Sequence, residues 1–299
     1  MKANVASRLL KPEVLARLGT LELVARTVVD GVMTGLHRSP HFGFSQEFAE
    51  YRAYNEGDDL RFVDWNVYAR TDRAYIKRFQ GETNTAVMLL LDASASMNFG
   101  SPVSKFDQAR YLVASLAYLA RKQHDALGIA VFDSKVRDFQ PTSARPDSLA
   151  RTFSLLERSE AGKGTDIVDA LAELRASLTR RGLVVLVSDL YTEPEALAGA
   201  LQPLSHAGHE LVVFHVLDNE EIEPELKRVS AFRDLESSET VVVEPAFLRT
   251  VYRDKFNTHC DAVQSLCAGL GADYVRLRTD DPLDIALQGY LRFRERRAR

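Results

Sequence analysis

From Ala86 onward the apolar residues come in two alternating patterns. Val87-Met88-Leu89-Leu90-Leu91 is an unbroken run that stops at Asp92. A run of that length with no polar alternation predicts a strand covered on both faces. Lys105 to Lys122 then places Ala109, Leu112, Val113, Leu116 and Leu119 on one side at helical spacing, with Ser104 and Asp107 placed as a capping box. Leu127 to Phe132 predicts the next strand. Only Asp133-Ser134-Lys135 separates it from the strand-like Val136 to Phe139, so the two form an antiparallel hairpin. Helices near 147–157 and 166–178 precede a second fully apolar strand, Leu183 to Val187, which ends at Ser188-Asp189. A helix near 194–206, a strand from Leu211 to Leu217, a long helix near 246–268, a strand from Tyr274 to Leu277 and a last helix near 282–293 complete the series. Strands alternating with helices predict an α/β fold, a doubly wound, Rossmann-like sheet with one antiparallel edge strand.

Two stretches break the alternation. Residues 219–244 are acidic, and Glu236-Ser237-Ser238-Glu239 before Val241-Val242-Val243 predicts an inserted hairpin. Ahead of the sheet, Leu15, Leu18, Leu21, Val24, Val28 and Val32 predict one helix over 12–34, with Gly35 as its stop. From Gly35 to about Thr85, aromatic, glycine and charged residues mix without a long period, which predicts short strands and ordered loops. Trp65, the one tryptophan, is expected to pack on the sheet. The expected division is therefore 1–85, a smaller helical and β-rich region packed on the main domain, and 86–299, the α/β domain carrying the inserted hairpin.

Composition adds exclusions. The chain has 299 residues, 45% hydrophobic and 27% charged, enough to build a sizeable core without a disulfide or a structural metal. A net charge of -4 gives no electrostatic reason to expect nucleic acid. The basic tail Arg292 to Arg299 is read as a solvated helix end. Cys260 and Cys267 fall on one helix about 10 Å apart, too far for a disulfide, and are expected to be reduced core residues. Met1-Lys2-Ala3-Asn4-Val5 begins no signal-peptide pattern, and no segment approaches the roughly 20 apolar residues of a membrane helix. A cytoplasmic protein without membrane insertion is the expectation.

Open α/β sheets bind ligands at the carboxyl ends of their strands, where the winding reverses. If the strands ending at Asp92 and Asp189 flank that reversal, their carboxylates share one crevice. Ser94 and Ser96 follow Asp92 at alternate positions, and Thr165, in the loop Gly162-Lys163-Gly164-Thr165, adds a third hydroxyl. Five oxygen donors from three loops, without sulfur or imidazole, suit a hard cation, Mg²⁺ or Mn²⁺ before Zn²⁺. Hydroxyls fill coordination positions without cancelling charge. The ion would remain an electrophile, and an Asp or Glu from a partner protein is its natural further ligand.

Asp92-Ala93-Ser94-Ala95-Ser96, Thr165 and Asp189 resemble the metal-ion-dependent adhesion site of von Willebrand factor A domains at all five positions. Glu47-Phe48, Tyr54 to Asp59, Arg61, Asp64-Trp65, Ala69-Arg70-Thr71 and Tyr75-Ile76-Lys77 resemble the signature of the bacterial domain-of-unknown-function family 58, over a similarity running from about Pro12 to the final helix. The resemblance implies a cytoplasmic A-type domain acting with a MoxR-type AAA+ ATPase in chaperone-like assembly or maturation of other proteins.

Other signals are set aside. Position 157 is Glu and Gly164 follows Lys163, so the 162–165 loop lacks the phosphate-loop spacing. The pairs His37/His41 and His206/His209 are read as incidental, and Asn55-Glu56-Gly57-Asp58-Asp59 as a turn in a structural clasp. The leading expectation is a non-enzymatic, metal-dependent protein-binding module. The alternatives are a metal-dependent, phosphatase-like hydrolase using the same strand-end site, or a scaffold whose site stays empty.

Overall fold

The computed structural model describes residues 11–36, 48–54, 63–79, 85–162, 164, 166–224, 230–233, 240–247 and 251–298. The apolar runs become the inner strands of one sheet. Ala86–Asp92 (β3), Ala126–Phe132 (β4), Leu183–Ser188 (β6) and Glu210–Leu217 (β7) are buried almost throughout, because helices cover both faces. Val136–Ser143 (β5) alternates between half-buried and exposed, as an edge strand does, and Asp273–Arg278 (β10) forms the other edge. The order is β10-β7-β6-β3-β4-β5, parallel except for the antiparallel β4–β5 pair. This is the doubly wound sheet with one antiparallel edge that the sequence predicts. The lower numbers belong to Phe48–Ala53 (β1) and Tyr75–Phe79 (β2), which pair only with each other.

The helices are Pro12–Leu15 (α1), Leu21–Leu36 (α2), Trp65–Thr71 (α3), Lys105–Lys122 (α4), Ser148–Arg158 (α5), Ile167–Ser177 (α6), Pro194–His206 (α7), Asn219–Ile222 (α8), Pro245–Phe247 (α9), Arg253–Gly269 (α10) and Leu283–Ala298 (α11). On one face of the sheet, Ile167, Leu171 and Leu174 of α6, Leu197, Leu201 and Leu204 of α7, and Val263 and Cys267 of α10 pack with Met88, Leu90, Val184, Leu186 and Val213. At about 25 cal/mol per Å² of apolar surface removed from water, this layer is a major source of stability. Cys260 and Cys267 lie on α10, buried and free, as expected.

α4 is the longest described helix. Ser104 caps it, its hydroxyl accepting from the Asp107 amide at 3.0 Å while donating to the Asp107 carboxylate. The predicted box is thus half formed: Asp107 is too short to reach back to the backbone and takes the hydroxyl instead.

The sequence divides differently from the expected 1–85 and 86–299. Contacts group Met1–Met33 with Asn84–Arg299, and Thr34–Thr83 forms a unit of its own. The reason is α2, whose Leu21, Val24, Ala25, Val28, Val29 and Val32 are buried, with Asp30 paired to Lys122 of α4 at 3.0 Å. The single helix expected over 12–34 is interrupted: residues 16–20 form a turn in which Gly19 takes φ 38°, and the Thr20 hydroxyl accepts the Leu23 amide to start α2.

In the 34–83 unit, the antiparallel β1–β2 pair carries α3, a helix the mixed pattern did not announce. Asp64 caps it, accepting the Val67 amide at 3.2 Å. Trp65, the first residue of α3, meets Tyr68 edge-on, three positions along the same helix face. Asn55 to Asp59 lie outside the described residues, as do Glu47 and the loop carrying His37 and His41.

The predicted insertion is present as the antiparallel pair Ser230–Arg233 (β8) and Thr240–Val243 (β9); Glu236 to Glu239 lie outside the described residues. The helix expected over 246–268 starts later, as α10, after the short α9. α11 carries the basic tail as far as Ala298, and the tail's side chains lie outside the described residues. No helix among the described residues is long and apolar enough to cross a membrane.

Candidate metal centre

β3 and β6 are parallel neighbours in the register Leu91↔Val187, so Asp92 and Ser188 stand level at the carboxyl rim. After β3 the chain winds outward through β4 and β5. It then returns to the other side of β3 and continues through β6, β7 and β10. The reversal of winding thus lies between the strands that end in Asp92 and in Ser188-Asp189, which is where such sheets open a ligand crevice.

Asp92 is buried. Its Oδ1 accepts the Ser94 amide at 2.8 Å, and its Oδ2 accepts the Ser188 hydroxyl at 2.6 Å. Each oxygen keeps a second lone pair. The loop beyond is fixed by the Ala93 amide, which donates to the Phe132 carbonyl of β4, and by a 3-10 turn, Ala95–Asn98. This places the Ser94 and Ser96 hydroxyls 3.0 Å apart. Burial, together with the neighbouring Asp189 carboxylate, pushes Asp92 up to about 7 from the ordinary 3.8, against the downward pull of the Ser188 and Ser94 hydrogen bonds.

The β6 end is built differently. The Ser188 hydroxyl also accepts the Leu190 amide, at 2.9 Å, and Leu190 takes φ 53°, a left-handed conformation uncommon for leucine. That tight turn follows directly on Asp189, whose side chain is fully buried. Asp189 Oδ2 accepts the Lys105 ammonium at 2.7 Å; Oδ1 is buried without a hydrogen-bond partner.

Lys105 is the first residue of α4 and has no exposed surface. A cation there opposes the helix dipole, and burial alone pushes its ammonium pKa down. The carboxylates of Asp189 and Glu221 more than offset both effects and hold it above its ordinary value. Glu221 accepts from Lys105 at 2.6 Å through Oε1, and its Oε2 accepts the Asp218 amide at 2.9 Å, completing a capping box on α8. The Tyr191 ring lies 4.7 Å from the Lys105 ammonium nitrogen.

Asp92, Ser94, Ser96 and Asp189 therefore share one rim. Thr165 lies outside the described residues. The loop that contains it is anchored on both sides: the Gly162 amide donates to the Ala93 carbonyl and the Asp166 amide to the Asp133 carbonyl. Gly162 sits so close to Asp133 that a side chain would collide with its carboxylate and press on the Ala93 carbonyl.

Among the described residues no three His, Cys, Asp or Glu side chains form a metal-binding group. The donor set here is of another kind, two carboxylates and paired hydroxyls. It fits a hard divalent cation on two counts. A buried carboxylate oxygen with no partner is costly unless a ligand takes it. An Asp pushed up to about 7 by burial and then by a second carboxylate is also a group that a cation would relieve of its proton.

Lys105 and Glu221 escape a reading by motif because they stand 84 and 32 residues from Asp189. The available signal was a lysine at a helix's first position, where a cation is disfavoured. Of the histidines, His215 on β7 bonds the Tyr274 hydroxyl through Nδ1 at 2.7 Å, and burial pushes it down to about 3, so it stays neutral.

The chain is 30% identical over 278 residues to the uncharacterized protein Rv1480 of Mycobacterium tuberculosis and, to the same degree, to Mb1516 of Mycobacterium bovis. Each alignment covers 90% of this chain and 86% of the relative. Among solved structures it is similar to BatB from Bacteroides thetaiotaomicron, at 19% identity and TM-score 0.47 over 70% of this chain and 98% of that one. It is also similar to an aerotolerance-related membrane protein from Bacteroides fragilis, at 20% identity and TM-score 0.48 over 68% and 96% of the two chains. The SpRpn10 VWA domain matches at 12% identity and TM-score 0.42 over 68% and 93%. The family described as "Protein of unknown function DUF58" matches residues 50–264, nearly three quarters of the sequence, and the chain belongs to that family.

Proposed function

We propose that this protein is a divalent-metal-dependent protein-binding module, in which Asp92, Ser94, Ser96 and Asp189, with Thr165 on the strength of the sequence motif, hold Mg²⁺ or Mn²⁺. The observation that carries the reading is the unpartnered, buried Oδ1 of Asp189 at the point where the winding reverses, on the same rim as the paired Ser94 and Ser96 hydroxyls. The ion's role would be to accept a carboxylate from outside. The residues hold the ion: Asp92 by charge, the serines by neutral oxygens that leave its electrophilicity intact.

The partner is accordingly a protein offering an exposed Asp or Glu. A MoxR-type AAA+ ATPase in the cytoplasm is the candidate that the family resemblance supports, with the pair acting in assembly or maturation of other proteins. The rival, a phosphatase-like hydrolase, needs an acid or base beside the reacting atoms. Ser94 stands where a second carboxylate would serve that purpose, so binding is the better-supported reading.

Affinity capture from a lysate, with and without EDTA, tests the reading. A partner retained by wild type with Mg²⁺, and lost both with EDTA and with Asp92→Ala, is the expected result. Capture indifferent to both, or Mn²⁺-dependent turnover of phosphoesters abolished by Asp92→Ala, would overturn it.

A further inference from the structure

We propose that Lys105 sets the specificity of this site: by occupying Asp189 Oδ2, it leaves a bound cation under-neutralised and so able to capture an external carboxylate. The inference rests on the metal-binding reading above and adds what the motif residues do not explain. Asp92, Asp189, Glu221 and Lys105 meet here, with the Tyr191 hydroxyl against Glu221. Hydroxyls can supply the remaining coordination, but two carboxylates facing a dication would satisfy its charge and remove its appetite for a third.

The structure gives Asp189's charge a competing claimant. Lys105 Nζ lies 2.7 Å from Oδ2, and Oδ1 is left buried and unpartnered. The ammonium is fixed from behind. Glu221 holds it at 2.6 Å, and Glu221 is itself fixed by accepting the Asp218 amide within the α8 capping box. The Tyr191 and Phe99 rings flank the ammonium at 4.7 and 5.9 Å. At the positive end of the α4 dipole the buried ammonium depends on the two carboxylates that hold it, so its charge is tied directly to Asp189. An ammonium that keeps a cation hungry must be buried, because water would screen it.

Lys105→Met keeps the stem and deletes the charge; Glu221→Gln keeps the capping bond and leaves Lys105 less neutralised. The two variants predict opposite signs. Mn²⁺ binding is followed by titration calorimetry at pH 8, and acetate binding to the Mn²⁺-loaded protein by paramagnetic broadening of its NMR line. Lys105→Met should bind Mn²⁺ about tenfold more tightly and acetate several-fold more weakly. Glu221→Gln should do the reverse, binding Mn²⁺ several-fold more weakly and acetate more tightly. Where Lys105→Met does not fold, Glu221→Gln alone decides by its two opposed changes. A purely structural role weakens both ligands together in both variants, and that result, or unchanged binding, overturns the inference. If wild type binds no Mn²⁺, or Asp92→Ala binds it equally, the metal reading itself fails. Wild-type binding lost in Asp92→Ala, with no opposed signs at Lys105 and Glu221, fails this inference alone.

Discussion

The carboxyl ends of β3 and β6 each offer a buried aspartate to one rim, yet they stabilise it by opposite means. Asp92 is held by neutral donors, among them the Ser94 amide and the Ser188 hydroxyl, and burial together with Asp189 pushes it up to about 7. Asp189 is held by a buried ammonium. The difference teaches that two identical side chains at one level of a sheet need not be equivalent. One is poised to exchange a proton for a cation, and the other is committed to a permanent charge partner whose removal leaves an uncompensated ion.

The largest expected effect tests that asymmetry directly. Asp189→Ala strips Lys105 of one of its two carboxylate partners, leaving Glu221 alone to hold it, and should cost about 1.5–3 kcal/mol of metal-free stability in urea unfolding. Asp92→Ala leaves two neutral donors unpaired but relieves repulsion and desolvation, so it should stay within about 1 kcal/mol of wild type. Equal losses would erase the distinction.

Titration sharpens it. In the folded protein Asp92 keeps its proton up to about pH 7, whereas the unfolded chain releases it near 3.8. Its contribution to metal-free stability is therefore present below about pH 4 and is lost as pH rises toward 7. Asp92→Asn should flatten that part of the stability-against-pH curve. Because a cation must displace the same proton, Mn²⁺ affinity should rise with pH up to about 7 and then level off. A pH-independent affinity between 5 and 8 would contradict the assignment.

The smallest effects belong to the hydroxyls. Ser94→Ala and Ser96→Ala should each weaken Mn²⁺ binding by about tenfold, equivalent to roughly 1.4 kcal/mol, with metal-free melting little changed. A loss as complete as that of Asp92→Ala would mean that the serines organise the loop instead of holding the ion.

These two strand ends were unequally legible in the sequence. Asp92 to Ser96 follows an unbroken apolar run, and both its strand placement and its donor spacing are local properties. The sheet was legible for the same reason: a strand covered on both faces writes its burial into consecutive residues. Asp189 was placed just as readily, but its partners were not. Lys105 and Glu221 reach it from α4 and α8 through tertiary packing, and no local period encodes such a meeting. The short helix α3 shows the converse failure: its seven residues mix aromatic, polar and charged side chains without a long period, so no pattern announced it. The break between α1 and α2 was hidden because Leu15, Leu18 and Leu21 keep a helical period across a turn whose Gly19 takes a positive φ.

The central claim, that the rim holds a divalent cation through Asp92, is tested most directly by thermal melting with and without Mn²⁺. Wild type should melt at a temperature that rises progressively with Mn²⁺ concentration, and Asp92→Ala, folded to the same degree without metal, should show no shift. Equal shifts in the two proteins, or none in wild type, would contradict it.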